Sequence, residues 1–133
     1  MRPWKTTFPL VLGVLLVAAG LGGCRRTEIE LGDVHGVVLL DGDPLPDATI
    51  RFIPVEGGRA ALGRTDAKGE YKMLYSARSS GALVGSVRVE ITTADPDAPQ
   101  SKEVLPARYN SKSELVREVT SGGQMIDFDL KSR

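Results

Sequence analysis

From Asp33 to the C-terminus, apolar residues recur at every second position in short runs broken by Gly, Pro, Asp and Ser. Period two is the signature of a strand that buries one face. Ala48, Ile50 and Phe52 fall on one face of such a run, and Thr49 and Arg51 on the other. Tyr71, Met73 and Tyr75 alternate with Lys72 and Leu74, and Val87, Val89 and Ile91 with Arg88, Glu90 and Thr92. Near the end, Ile126, Phe128 and Leu130 should face in while Asp127, Asp129 and Lys131 face out. The run from Val34 to Leu40 is apolar on both alternations, which predicts a strand covered on both faces or at its ends. Ala61 to Thr65 and Leu115 to Thr120 complete a set of seven strands. After residue 24 no run has helical period, so the pattern predicts an all-β sandwich.

Breakers set the connections. Asp41-Gly42, Gly57-Gly58 and Gly122-Gly123 are expected turns. Ala94 to Lys102 contains two prolines, which a central strand excludes, so it is expected to loop over one end. Residues 103–112 are expected to cross irregularly to the sixth strand. No internal repeat is visible.

The first residues obey a different pattern. Arg2 and Lys5 precede an apolar stretch from Phe8 to Ala19, short for a membrane-spanning helix and suited to a signal peptide. Leu21-Gly22-Gly23-Cys24 then resembles the lipobox of bacterial lipoproteins. That resemblance implies a diacylglycerol on the Cys24 thiol, cleavage between Gly23 and Cys24, and acylation of the new amine. Two or three acyl chains anchor stably where one is marginal. An ordinary signal cut after Ala18-Ala19-Gly20 is the alternative, and it leaves the cysteine without a role. Residues 1–23 are thus the expected signal peptide, 24–32 the lipidated cysteine and tether, and 33–133 the domain. Arg25 stands where an Asp would resemble an inner-membrane retention signal, which favours the outer membrane of the cell envelope. Arg25 and Arg26 read as solvated linker charges, with anionic headgroup contact as the alternative.

Composition narrows the function. The chain has 133 residues, and loss of the signal leaves about 110, enough for one core. Lys+Arg and Asp+Glu both number 17, so no basic excess points to nucleic acid. One cysteine and one histidine exclude a disulfide framework and a metal site built from several cysteines or histidines.

Three ordered segments carry a second resemblance: Val34 to Ile50, with Gly36-Val37-Val38 and Asp43-Pro44-Leu45-Pro46-Asp47-Ala48; Gly63 to Tyr71, with Thr65-Asp66-Ala67-Lys68-Gly69-Glu70; and Gly85-Ser86-Val87-Arg88-Val89. They resemble carboxypeptidase regulatory-like domains. The resemblance implies a prealbumin-like (transthyretin-like) seven-stranded Greek-key sandwich without catalytic machinery. Leu105 to Asn110 and Ile126 to Leu130 look like the tail of short bacterial lipoproteins built from this one domain. Val87 departs from the family, which often has an aromatic there.

Candidate chemistry is sparse. Asp41, Asp43, Asp47 and Asp66 could gather a calcium ion, but Asp is also the ordinary turn residue of a sandwich, and the full EF-hand spacing is missing. Asp95 and Asp97 receive the same reading. His35 alternates with apolar strand residues and reads as a hydrogen-bonded or edge histidine. Ser79, Ser80 and Ser86 lie beside glycines without a triad or a G-x-S-x-G elbow. Arg108 and Tyr109, a cation beside an aromatic on an irregular segment, are the candidate binding residues; the alternative is that Tyr109 packs the segment onto the sandwich. No catalytic residue, cofactor or metal is expected.

The expectation is a non-catalytic, lipid-anchored envelope protein that binds or scaffolds, with the membrane as one partner and an envelope protein as a possible second. A secreted or surface carbohydrate-active or hydrolytic accessory module and a subunit of a larger envelope complex are the alternatives.

Overall fold

The computed structural model describes residues 28–133, which fold as an all-β sandwich of two sheets. The strands are β1 (Leu31–Leu40), β2 (Asp43–Pro44), β3 (Thr49–Pro54), β4 (Ala61–Arg64), β5 (Glu70–Lys72), β6 (Leu74–Ser76), β7 (Ser79–Ser80), β8 (Ala82–Leu83), β9 (Gly85–Thr92), β10 (Val116–Val119), β11 (Gly122–Met125) and β12 (Phe128–Leu130). One 3-10 turn spans Ala107–Tyr109.

The first sheet is organised around β1. On one side β1 pairs antiparallel with β2, β5 and β8. On the other it pairs parallel with β11 and then β12. The second sheet runs β10-β9-β3-β4-β6-β7 and is antiparallel throughout. Its backbone is the six-residue ladder between β3 and β9, where the alternation was cleanest.

The core lies between the sheets. Ile50, Phe52, Val87, Val89 and Ile91 point in from the second sheet, and Val34, Val38 and Phe128 from the first. Phe52 meets Phe128 edge-on at 6.4 Å between ring centres, joining the layers. The inward set at the C-terminus is as expected: Ile126, Phe128 and Leu130 are buried, and Asp127, Asp129 and Lys131 are exposed.

Three elements depart from the sequence reading. The run from Tyr71 to Tyr75 is two strands, because the chain changes sheets at Met73. Tyr71 pairs with Gly36 of the first sheet, and Leu74 with Leu62 of the second. Met73 donates its N–H to the Val34 carbonyl at 2.9 Å and accepts from Gly81 at 2.8 Å. Gly122-Gly123 are not only a turn but the start of β11, paired with Gly32 and Asp33. Lastly, β1 begins at Leu31, so Leu31 and Gly32 belong to the sandwich rather than to the tether. The seven expected strands all have counterparts, but the described residues form twelve short ones. β1 is also buried chiefly on one face: Asp33 and His35 are exposed and Val37 is half-buried.

Local chemistry explains the turns. Asp41 and Gly42 have φ of 51° and 87°, and they close β1 onto β2 as a two-residue hairpin. Asp66 Oδ1 accepts the N–H groups of Lys68 at 2.8 Å and Glu70 at 3.0 Å, tying the turn before β5. Gly69 takes φ 73° beneath the Val38 carbonyl, where a Cβ would lie only 2.6 Å from that oxygen.

Candidate functional site

The outer face of the second sheet carries an unusual feature for a sandwich, whose outer positions are ordinarily polar. In β4, the small residues Ala61 and Gly63 point into the core, which sends Leu62 and Arg64 outward. Leu62 is the direct cross-strand partner of Leu74, and the two remain 49% and 48% exposed. Beside them the Tyr75 ring lies beneath the Arg59 guanidinium, 5.6 Å from the ring centre. Lys72 and Arg64 complete the rim of an open groove of about 680 Å³.

No carboxylate belongs to the groove lining. Arg64 reaches outside it, to Asp95 at 3.1 Å and Asp47 at 3.7 Å. Arg59 and Lys72 form no ion pair among the described residues. An apolar floor with a cationic rim suits an anionic, partly apolar ligand or surface.

A second hollow of about 400 Å³ adjoins the groove and shares Arg59 and Tyr75 with it. Its other lining includes Glu28, Ile29, Glu30 and Glu56. The described residues therefore begin in the hollow that adjoins the groove.

The residues singled out in the sequence do not gather there. Tyr109 is 9% exposed, and its hydroxyl accepts the Lys131 N–H at 2.9 Å. The exposed Arg108 lies over the Tyr109 ring at 4.8 Å and donates to the Lys131 carbonyl at 2.7 Å. Both side chains are thus engaged in holding the C-terminal strand to the 3-10 turn, the geometry of the packing alternative.

The acids serve the backbone. Asp41 accepts from the N–H of Ser132 at 3.0 Å and from its hydroxyl at 2.5 Å, and these two bonds hold its carboxyl below the usual range. Asp95 is likewise lowered, by the Asp97 N–H and by Arg64. Asp127 accepts from the Val37 N–H at 2.9 Å, filling the break between β11 and β12. Among the described residues no three of His, Cys, Asp and Glu come together as a metal site.

His35 is exposed on β1, and its carbonyl accepts the Ile126 N–H at 2.9 Å. Ser86 donates to Glu118 at 2.6 Å, while Ser79 and Ser80 form β7. None of these serines is hydrogen-bonded to the histidine. Gly23, Cys24, Arg25 and Arg26 lie outside the described residues.

Two groups were not anticipated. Glu103 accepts from the Thr92 hydroxyl, from the Thr93 N–H at 3.2 Å and hydroxyl at 3.1 Å, and from the Leu105 N–H at 3.0 Å. Burial alone would raise its pKa, but these bonds together hold it below the usual value. The groove itself was missed because its floor depends on register. Lys72 and Leu74 alternate visibly with the core residues, and small residues at 61 and 63 are a sign that the larger neighbours point outward. Nothing local pairs Leu62 with Leu74.

No family model and no curated protein sequence matches this chain.

Proposed function

We propose that this protein is a lipid-anchored, non-catalytic component of the bacterial cell envelope whose sandwich binds or scaffolds. Its domain would be carboxypeptidase regulatory-like with a prealbumin-like topology, on the three segments that carry that resemblance. The observation that carries the binding reading is the open groove over Leu62, Leu74 and Tyr75, rimmed by Arg59, Arg64 and Lys72. The non-catalytic reading draws on the use of the candidate acids: Asp41, Asp66 and Asp127 each hold backbone N–H groups rather than pointing together into a cleft. The anchoring reading draws on Leu21-Gly22-Gly23-Cys24.

Expression of Cys24→Ser in a bacterial host tests the anchor. The variant should accumulate as an uncleaved precursor without acyl chains, since only the thiol takes the lipid. Normal processing of Cys24→Ser would contradict the lipobox.

A further inference from the structure

We propose that the groove over Leu62 and Leu74 rests on an anionic phospholipid surface, the bilayer that holds Cys24. This rests on the lipid-anchor reading above.

The chain length supplies the first argument. Cys24 precedes Glu28 by four residues, and four residues span at most about 14 Å. That is less than half of a hydrocarbon core of about 30 Å. A domain on so short a leash stays within contact distance of the membrane surface. Glu28 lines the hollow that shares Arg59 and Tyr75 with the groove, so the leash begins in the hollow adjoining it.

The charge pattern supplies the second. The groove lining holds no carboxylate; of its three cations Arg64 is paired with Asp95 and Asp47 outside the groove, and Arg59 and Lys72 form no ion pair among the described residues. Glu28, Glu30 and Glu56 line the neighbouring hollow instead. With the anchored end held at the bilayer, the cations at 59 and 72 favour turning the groove, rather than the carboxylates at 28, 30 and 56, onto an anionic surface. Arg59 and Lys72 are exposed cations on flexible stems, able to reach headgroups while Leu62, Leu74 and the Tyr75 ring meet the interface. Reversing both cations should reduce the docked-to-undocked ratio by about tenfold or more.

The test uses the full-length, lipid-anchored protein. Cys24 is its one cysteine, so a thiol introduced by Ser76→Cys, in the groove, or by Asp129→Cys, on the opposite sheet, can be labelled singly with a fluorophore. Each protein is reconstituted in vesicles carrying a nitroxide-labelled lipid, either phosphatidylcholine alone or phosphatidylcholine with phosphatidylglycerol. The expected result is quenching at position 76 but not at 129, in phosphatidylglycerol vesicles only, and its loss in Arg59→Glu/Lys72→Glu. Equal quenching at both positions, quenching indifferent to phosphatidylglycerol, or none at position 76 overturns the docking. A label at 76 shielded from aqueous quencher in both vesicle types without lipid quenching assigns the groove to contact with a second copy of this chain, and equally overturns it. Flotation in high salt separates the two readings. Protein that stays with the vesicles in high salt but shows no quenching at 76 at low ionic strength defeats docking alone. Protein released by salt defeats the anchor, and the docking with it.

Discussion

Tyr71 brings a hydroxyl into the core and donates it to the carbonyl of Ile126. Burial raises its pKa well above the ordinary value, with the nearby Asp127 adding to the effect. It therefore remains a neutral donor throughout the working pH range. Tyr71→Phe leaves the carbonyl without that donor and should cost about 1–3 kcal/mol in denaturant unfolding; an unchanged midpoint would contradict the role. The lowered carboxylates act in the opposite direction. Asp41, Asp95 and Glu103 titrate below their unfolded values, so their contribution is present above about pH 4 and is lost as pH falls through the folded values. Hydrogen-exchange protection at Thr93 and Leu105, taken relative to the intrinsic rate at each pH, should fall on acidification below about pH 4. Glu103→Gln should produce much of that loss of protection at neutral pH, because an amide replaces only part of the carboxylate's accepting capacity. Exchange at these amides that ignores both changes would show that the cradle does not hold the segment.

At the level of elements, the parallel pairing of β1 with the C-terminal strands depends on Gly36. A Cβ there would lie 2.0 Å from the Ile126 carbonyl oxygen, so no side chain fits without moving β1 from its partner. Gly36→Ala should cost at least about 2 kcal/mol, measured by thermal unfolding; a wild-type midpoint would contradict the register. This pairing was not legible in the sequence. Gly122 and Gly123 have no alternation to read, and their partners on β1 lie about ninety residues earlier. The sheet change at Met73 was hidden for a related reason: Tyr71 and Met73 face the same core from either sheet, so the alternation runs unbroken through the corner. By contrast β3 and β9 were legible, because each presents one apolar and one polar face. The groove was half legible. Leu74 fell on the outward alternation with Lys72, but the match of Leu62 to Leu74 is a matter of register, which one strand cannot display.

For the whole molecule, the two halves of the account are joined by the short chain between Cys24 and Glu28. The sandwich supplies a single core, a closed set of turns and one apolar, cation-rimmed groove beside the described N-terminal end. Asp41, Asp66 and Asp95 accept backbone N–H groups in their turns, and we expect metal not to contribute to stability: adding EDTA should leave the melting temperature unchanged, and a fall of several degrees would restore the calcium alternative at Asp41, Asp43, Asp47 and Asp66. The lipid anchor determines where the groove is presented. Its most direct test is the intact mass of native protein extracted in detergent. The expected mass is that of residues 24–133 plus two or three acyl chains. A mass matching an unmodified chain cut near Ala19 or Gly20 would contradict it.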